Sequence, residues 1–185
     1  MISNFQLSKD QIIAALSALN AKLVAKEVTG ELCIFGGAAM ILAFDARQST
    51  RDVDGVFVPK SAVAGAIEEV AGELQLPLNW LNDGVKGWAS SAGDLVAEGM
   101  PQFSHLRVLR PSAQYLLAMK CLAARAGDYD TSGDKEDVIT LIRHLGLTTA
   151  GGVLEIVCRY YPESSLSPKT RYFVEEILAA EGGAA

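Results

Sequence analysis

Between Glu31 and Val58 the chain reads ELCIFGGAAMILAFDARQSTRDVDGVFV, a pattern that few folds can accommodate. The apolar run 31–36 is strand-like and stops at Gly36-Gly37, and residues 38–46 are then apolar on every side, as in a fully buried helix. Asp52 and Asp54 open a second apolar strand, 53–58, which Pro59 closes. A glycine pair between a strand and a helix lets the backbone turn sharply and brings its N–H groups within reach of a ligand. The helix N-terminus adds partial positive charge, which favours an anion such as phosphate. The plain alternative for the pair is a tight turn with close packing.

The acid pair narrows the choice. At positions i and i+2 of a strand both carboxylates project from one face, with Cα atoms roughly 6 to 7 Å apart. Two like charges so close are costly, and Asp is a poor strand former. A hard divalent cation relieves that cost, because Mg²⁺ takes carboxylate oxygens together with phosphate oxygens. The pattern therefore predicts Asp52 and Asp54 as ligands of Mg²⁺ or Mn²⁺, with Gly36 and Gly37 cradling a phosphate. Arg47 and Arg51 flank the acids and suit phosphate charge, although solvated or structurally paired arginines are the plainer account. There is no GxxxxGK[ST], which excludes a P-loop, and a dinucleotide fold would want a third glycine and an acid closing its strand.

Elsewhere the periodicity predicts helices over 8–26, capped by Ser8, and over 60–74, with Val63, Ile67, Val70, Ala71 and Leu74 inward. Residues 76–100 read as a short strand and a loop, with Asn79 and Asn82 as turn residues. Trp80 and Trp88 read as core residues, with a base pocket as the alternative. A strand is predicted at 105–110, followed by helices at 112–126, 134–145, 150–160 and 168–180. The chain is thus α/β in residues 1–110, with a small mixed sheet flanked by helices, and wholly helical in 111–185.

With 185 residues, a core can form without staples. A net charge of -6 argues against non-specific nucleic-acid binding. The three cysteines, Cys33, Cys121 and Cys158, are far apart in apolar stretches and read as buried thiols, and the two histidines make a histidine-built metal site implausible. The first residues lack a basic and then apolar leader pattern, and no apolar run approaches the about 20 residues needed to span a bilayer. A cytoplasmic location without membrane contact is expected.

On the 112–126 helix, Ala113, Leu116, Leu117, Ala123 and Ala124 form an apolar stripe, and Lys120 falls inside it. A lysine aimed inward needs a partner or a ligand. Asp134 and Asp137, one helical turn apart and in line with Val138, Leu141 and Leu145, can supply it. One reading is a Lys120–Asp137 pair tying two helices together with Asp134 as the helix cap. The other is Lys120 on nucleotide phosphates, positioned by Asp134 or Asp137.

The segment FGGAAMILAFDARQSTRDVDGVFV resembles the nucleotidyltransferase superfamily of the DNA polymerase β type, whose signature is a strand, a glycine pair, a helix and Asp-x-Asp on the next strand. The spacing of Arg47 and Thr50 before Asp52 resembles a bacterial branch that includes abortive-infection toxins, and LPLNWLNDGVKGW and RPSAQYLLAMKCLAARAGDYDTSGDKEDVITLIRHLGL are similar to an uncharacterised subgroup of it. The resemblance covers residues 30–147. It implies a nucleotidyltransferase core with a C-terminal helical bundle, and Mg²⁺-dependent transfer of a nucleoside monophosphate from a nucleoside triphosphate to an acceptor hydroxyl. Asp52, Asp54 and Lys120 would be catalytic, while Gly36, Gly37, Arg47, Lys120, Asp134 and Asp137 would hold the nucleotide. RNA, tRNA or a protein would be the acceptor, and an antitoxin a partner. The chain departs from the pattern in Ala38, where many members carry Ser, and in lacking a third carboxylate on the strand at 105–110. Asp83, Asp94 and Glu98 are the unassigned acids. The alternative is a catalytically inactive nucleotide-binding or protein-interaction module.

Overall fold

The computed structural model describes residues 5–84, 93–124 and 133–182. It is mixed α/β, and its described residues divide into two compact units. The first runs from the N-terminus to Gly84 and takes in Leu95–Arg110; the second starts at Pro111 and takes in Gly93 and Asp94.

In the first unit, β1 (Leu7–Ser8) leads into α1 (Lys9–Ala25), which starts on a capping box: Ser8 Oγ accepts from Gln11 N–H and the side-chain Oε1 of Gln11 accepts from Ser8 N–H. Such a cap stabilises a helix by about 1 kcal/mol. Ile12, Leu16, Leu19 and Leu23 all lie buried along one face, and each contributes about 2 kcal/mol by leaving water. There follow β2 (Gly30–Ile34), α2 (Gly36–Phe44), β3 (Ser49–Thr50), β4 (Val53–Val58), α3 (Lys60–Glu73), β5 (Leu81–Asn82), β6 (Leu95–Val96) and β7 (Leu106–Pro111). The sheet order is β5-β4-β2-β7-β6. Central β2 is antiparallel to β4 and parallel to β7, and β4 is parallel to β5. Separately, β1 and β3 pair antiparallel, with Leu7 opposite Thr50.

Three readings of this unit need correction. The first strand stops at Ile34 and the helix begins at Gly36, so the two glycines are its first turn rather than a linker. Leu74 caps α3 and is exposed, because the helix ends one residue earlier, at Glu73. Asn82 lies on a strand, not in a turn. Trp80 is fully buried and donates its indole N–H to the Ile67 carbonyl, which makes it a core residue. Trp88 lies outside the described residues.

The second unit is helical: α4 (Ala113–Ala123), α5 (Asp134–His144), α6 (Ala150–Tyr160), a short 3₁₀ turn at Glu163–Ser165, and α7 (Pro168–Gly182). Helix α4 packs against the other three, and Ser112 and Thr149 cap α4 and α6 with their hydroxyls. Of the predicted stripe on α4, Leu116, Leu117 and Ala124 are buried, whereas Ala113 is half-buried and Ala123 exposed; Tyr115, Ala118 and Cys121 complete the inner face. The sequence period was sound, but a tyrosine and a cysteine serve as core residues here. Tyr115 stacks on Tyr160 with ring centroids 4.9 Å apart. No helix among the described residues is long and apolar enough to cross a membrane.

Cys33 and Cys121 are buried as expected, whereas Cys158 is exposed on α6. Burial pushes both inner thiols up to about 12, with Glu31 adding to the shift at Cys33. The thiolate is the nucleophile that attacks a thiol reagent, and at pH 8 both inner groups stay protonated and shielded. Native protein should therefore react rapidly at Cys158 only, and denatured protein at all three cysteines. Rapid labelling of Cys33 or Cys121 without denaturant would contradict the packing described here.

Candidate functional site

The residues predicted to act together fall into two clusters, one in each unit. In the first unit, the antiparallel pairing of β2 and β4 brings the end of one strand beside the start of the other. Ile34 lies opposite Gly55, and Phe35 N–H donates to the Asp54 carbonyl at 2.8 Å. The first turn of α2 therefore begins next to the acid pair. Gly36 has φ +59, a left-handed conformation that costs other residues about 1–2 kcal/mol. A Cβ at Gly36 would also lie 3.1 Å from Asp54 Oδ2. At Gly37 a Cβ would sit 2.9 Å from Thr50 Oγ1 and 3.5 Å from Arg47 Nη1. No side chain caps this helix, so the amides of its first turn border Asp54, Thr50 and Arg47. Thr50 is held there by the pairing of β3 with β1.

Asp52 and Asp54 share the part-buried face of their segment, while Val53, Gly55 and Phe57 alternate into the core. Burial raises the Asp52 carboxyl above its ordinary value and the neighbouring Asp54 charge adds to this; a hydrogen bond from Asn82 and the Arg51 charge oppose it. The bond from Asn82 Nδ2 to Asp52 Oδ2 is 3.1 Å long, and it exists because β5 runs parallel to β4 with Asn82 opposite Asp54. With the described residues, the Asp54 carboxylate makes no hydrogen bond or ion pair. Two adjacent carboxylates, one without a partner, form a donor set that fits a hard divalent cation. Among the described residues no group of three acids, histidines or cysteines converges, so water and phosphate oxygens would complete the coordination.

None of the unassigned acids joins the pair. Asp83 is ion-paired with Lys60, and Glu98 is exposed with its carboxylate 3.8 Å from Arg110. Asp94, in the second unit, is desolvated but accepts from Tyr160 and Ser112, and these bonds leave its carboxyl below the ordinary value. Arg51 is exposed. The residue that sequence reasoning missed is Asn82. Its signal, an Asn ending an apolar dipeptide, is shared by countless turns.

In the second unit, Lys120 Nζ lies 2.7 Å from Asp134 Oδ1 and 2.8 Å from Asp137 Oδ2. The side chains are 11% exposed for Lys120 and 0% for Asp137, so this is a largely buried ionic cluster in which one ammonium meets two carboxylates. Gly133, not Asp134, occupies the N-cap of α5, with φ 69, which frees the Asp134 carboxylate for Lys120. Asp134 and Asp137 are both in the first turn of α5, where the helix dipole also favours negative charge.

Comparisons with protein-family models, with curated proteins and with solved structures found no match.

Removing one member of a buried ionic group leaves the others uncompensated and costs about 3–5 kcal/mol. Lys120→Met should therefore lower the unfolding free energy by about that amount, because Asp137 has no access to water. Asp134→Asn should cost clearly less, since the fully buried pair survives. Denaturant titration of the three proteins would test this ranking, and a loss in Asp134→Asn as large as that in Lys120→Met would overturn it.

Proposed function

We propose that the first unit binds a nucleoside triphosphate together with Mg²⁺ or Mn²⁺, and that the chain is a nucleotidyltransferase of the polymerase β type. One observation carries the reading: the uncapped start of α2, Arg47, Thr50 and two adjacent carboxylates meet where β2 ends and β4 begins. Structural packing alone gives no use for two like charges placed so close together, whereas an anionic ligand with its own cation uses every one of these groups.

In this reading Asp52 and Asp54 hold the cation, and the Gly36 and Gly37 amides donate to a phosphate oxygen. Arg47 supplies positive charge on the same side. When bound, the cation neutralises developing charge on the phosphates and orients them for in-line displacement. The acceptor hydroxyl oxygen would form the new bond to the α-phosphorus while the bond to pyrophosphate breaks, and its proton would pass to water. Acceptors of the RNA, tRNA or protein class remain the proposal, as does an antitoxin partner. Lys120 already serves two carboxylates, which takes up two of the three donors of its ammonium; that favours its role as the tie between α4 and α5.

The second reading, a nucleotide-binding module without transfer, has its own support. Among the described residues no third acid joins the pair, and the group beside Asp52 is the neutral amide of Asn82.

Calorimetric titration with each of the four nucleoside triphosphates, with and without Mg²⁺, tests binding. The expected result is metal-dependent binding of at least one nucleotide, weakened tenfold or more, about 1.4 kcal/mol, in Asp52→Asn and in Asp54→Asn. Metal-independent binding, or binding that both variants retain, would sink the proposal. Release of pyrophosphate on adding acceptors separates the transferase from the module.

A further inference from the structure

We propose that Asn82 is a positioning residue for the cation site: it fixes the Asp52 carboxylate in orientation without neutralising it. The inference rests on the reading of Asp52 and Asp54 as cation ligands. Its own support lies in how the Asn82 carboxamide is held. Gly84 N–H donates to Asn82 Oδ1 at 3.0 Å, which leaves the Nδ2 end as the only one that can meet Asp52, and it does so at 3.1 Å. The amide is thus oriented from behind by the backbone and points its donors at one carboxylate oxygen.

An Asx turn alone would account for the Gly84 contact, but not for the second one. That contact depends on the parallel register of β5 with β4, a tertiary pairing 30 residues apart in sequence. Residue chemistry explains why an amide suits the place. A lysine or arginine would pair with Asp52 and compete with a cation. An acid would add a third like charge. An aliphatic side chain would leave the carboxylate free to rotate away from Asp54. A neutral donor engages Oδ2 and leaves the other oxygen of Asp52 available beside Asp54. Groups that hold a metal ligand from behind typically change metal affinity by 10- to 100-fold when removed.

The probe is Mn²⁺ alone, titrated into the full chain and followed by the electron paramagnetic resonance of the free ion, without nucleotide. Wild type, Asp54→Asn, Asn82→Leu and Asn82→Ser are compared, each checked for folding by its unfolding midpoint. Serine is included because it is small enough for β5, yet cannot both reach Asp52 and accept from Gly84. The expected result is binding by wild type, its loss in Asp54→Asn, and a weakening of about tenfold in either folded Asn82 variant. If wild type binds and Asp54→Asn does not, while a folded Asn82 variant binds as tightly as wild type, Asn82 is merely structural and this inference falls alone. If wild type takes no Mn²⁺, the inference and the cation reading fall together.

Discussion

The antiparallel pairing of β2 with β4 is the contact on which the sheet unit depends. It places the end of β2, which runs into the glycines that open α2, beside the acids that open β4, and the bond from Phe35 N–H to the Asp54 carbonyl closes the corner between them. A parallel pairing would have put the glycines and the acids at opposite ends of the sheet. Because β5 then runs parallel to β4, it delivers Asn82 to the same edge. Three strands thereby supply one site, and the sheet interior holds its side chains in place through burial of Leu32, Ile34, Val53 and Phe57.

The helical unit is built around a different problem. Four amphipathic helices could pack on apolar contacts alone, yet Lys120 and Asp137 are buried among them. Such a group contributes little net stability compared with an apolar equivalent, since desolvation offsets most of the attraction. Its effect is on uniqueness: only one rotation of α4 against α5 brings Lys120 between Asp134 and Asp137, and any other strands a buried charge. Both acids also lie in the first turn of α5, where the helix dipole favours negative charge.

Most of the architecture was legible from periodicity. The helices over 8–26, 60–74 and the four C-terminal segments, and the strands at 31–36, 53–58 and 105–110, all recur within a few residues of their predicted ends. So did the conjunction of Gly36, Gly37, Asp52 and Asp54, because the spacing and residue types are local. What was not legible depends on tertiary register. Asn82 could not be told from a turn residue, since its partner lies 30 positions away. Leu74 and Cys158 carry apolar side chains in helical register, yet one sits at a helix end and the other on an outward face. Lys120 was recognisable as inward-facing, but its double pairing required the geometry of α5.

The charges at the sheet edge also bear on the order in which a ligand could assemble there. A chain of net charge -6 repels a triphosphate on approach, and the Asp54 carboxylate beside Gly36 repels it further at the site. The amides of α2 and the Arg47 guanidinium oppose that repulsion, but a helix N-terminus amounts to only about half a charge. A phosphate arriving without a cation would therefore meet two carboxylates with too little positive charge to offset them. Arriving with one, it would satisfy both, because the cation answers the acids while the amides answer the phosphate. In the proposed reading the same groups would thus discriminate between a bare anion and its metal complex, and neither the glycines nor the acids could do this alone.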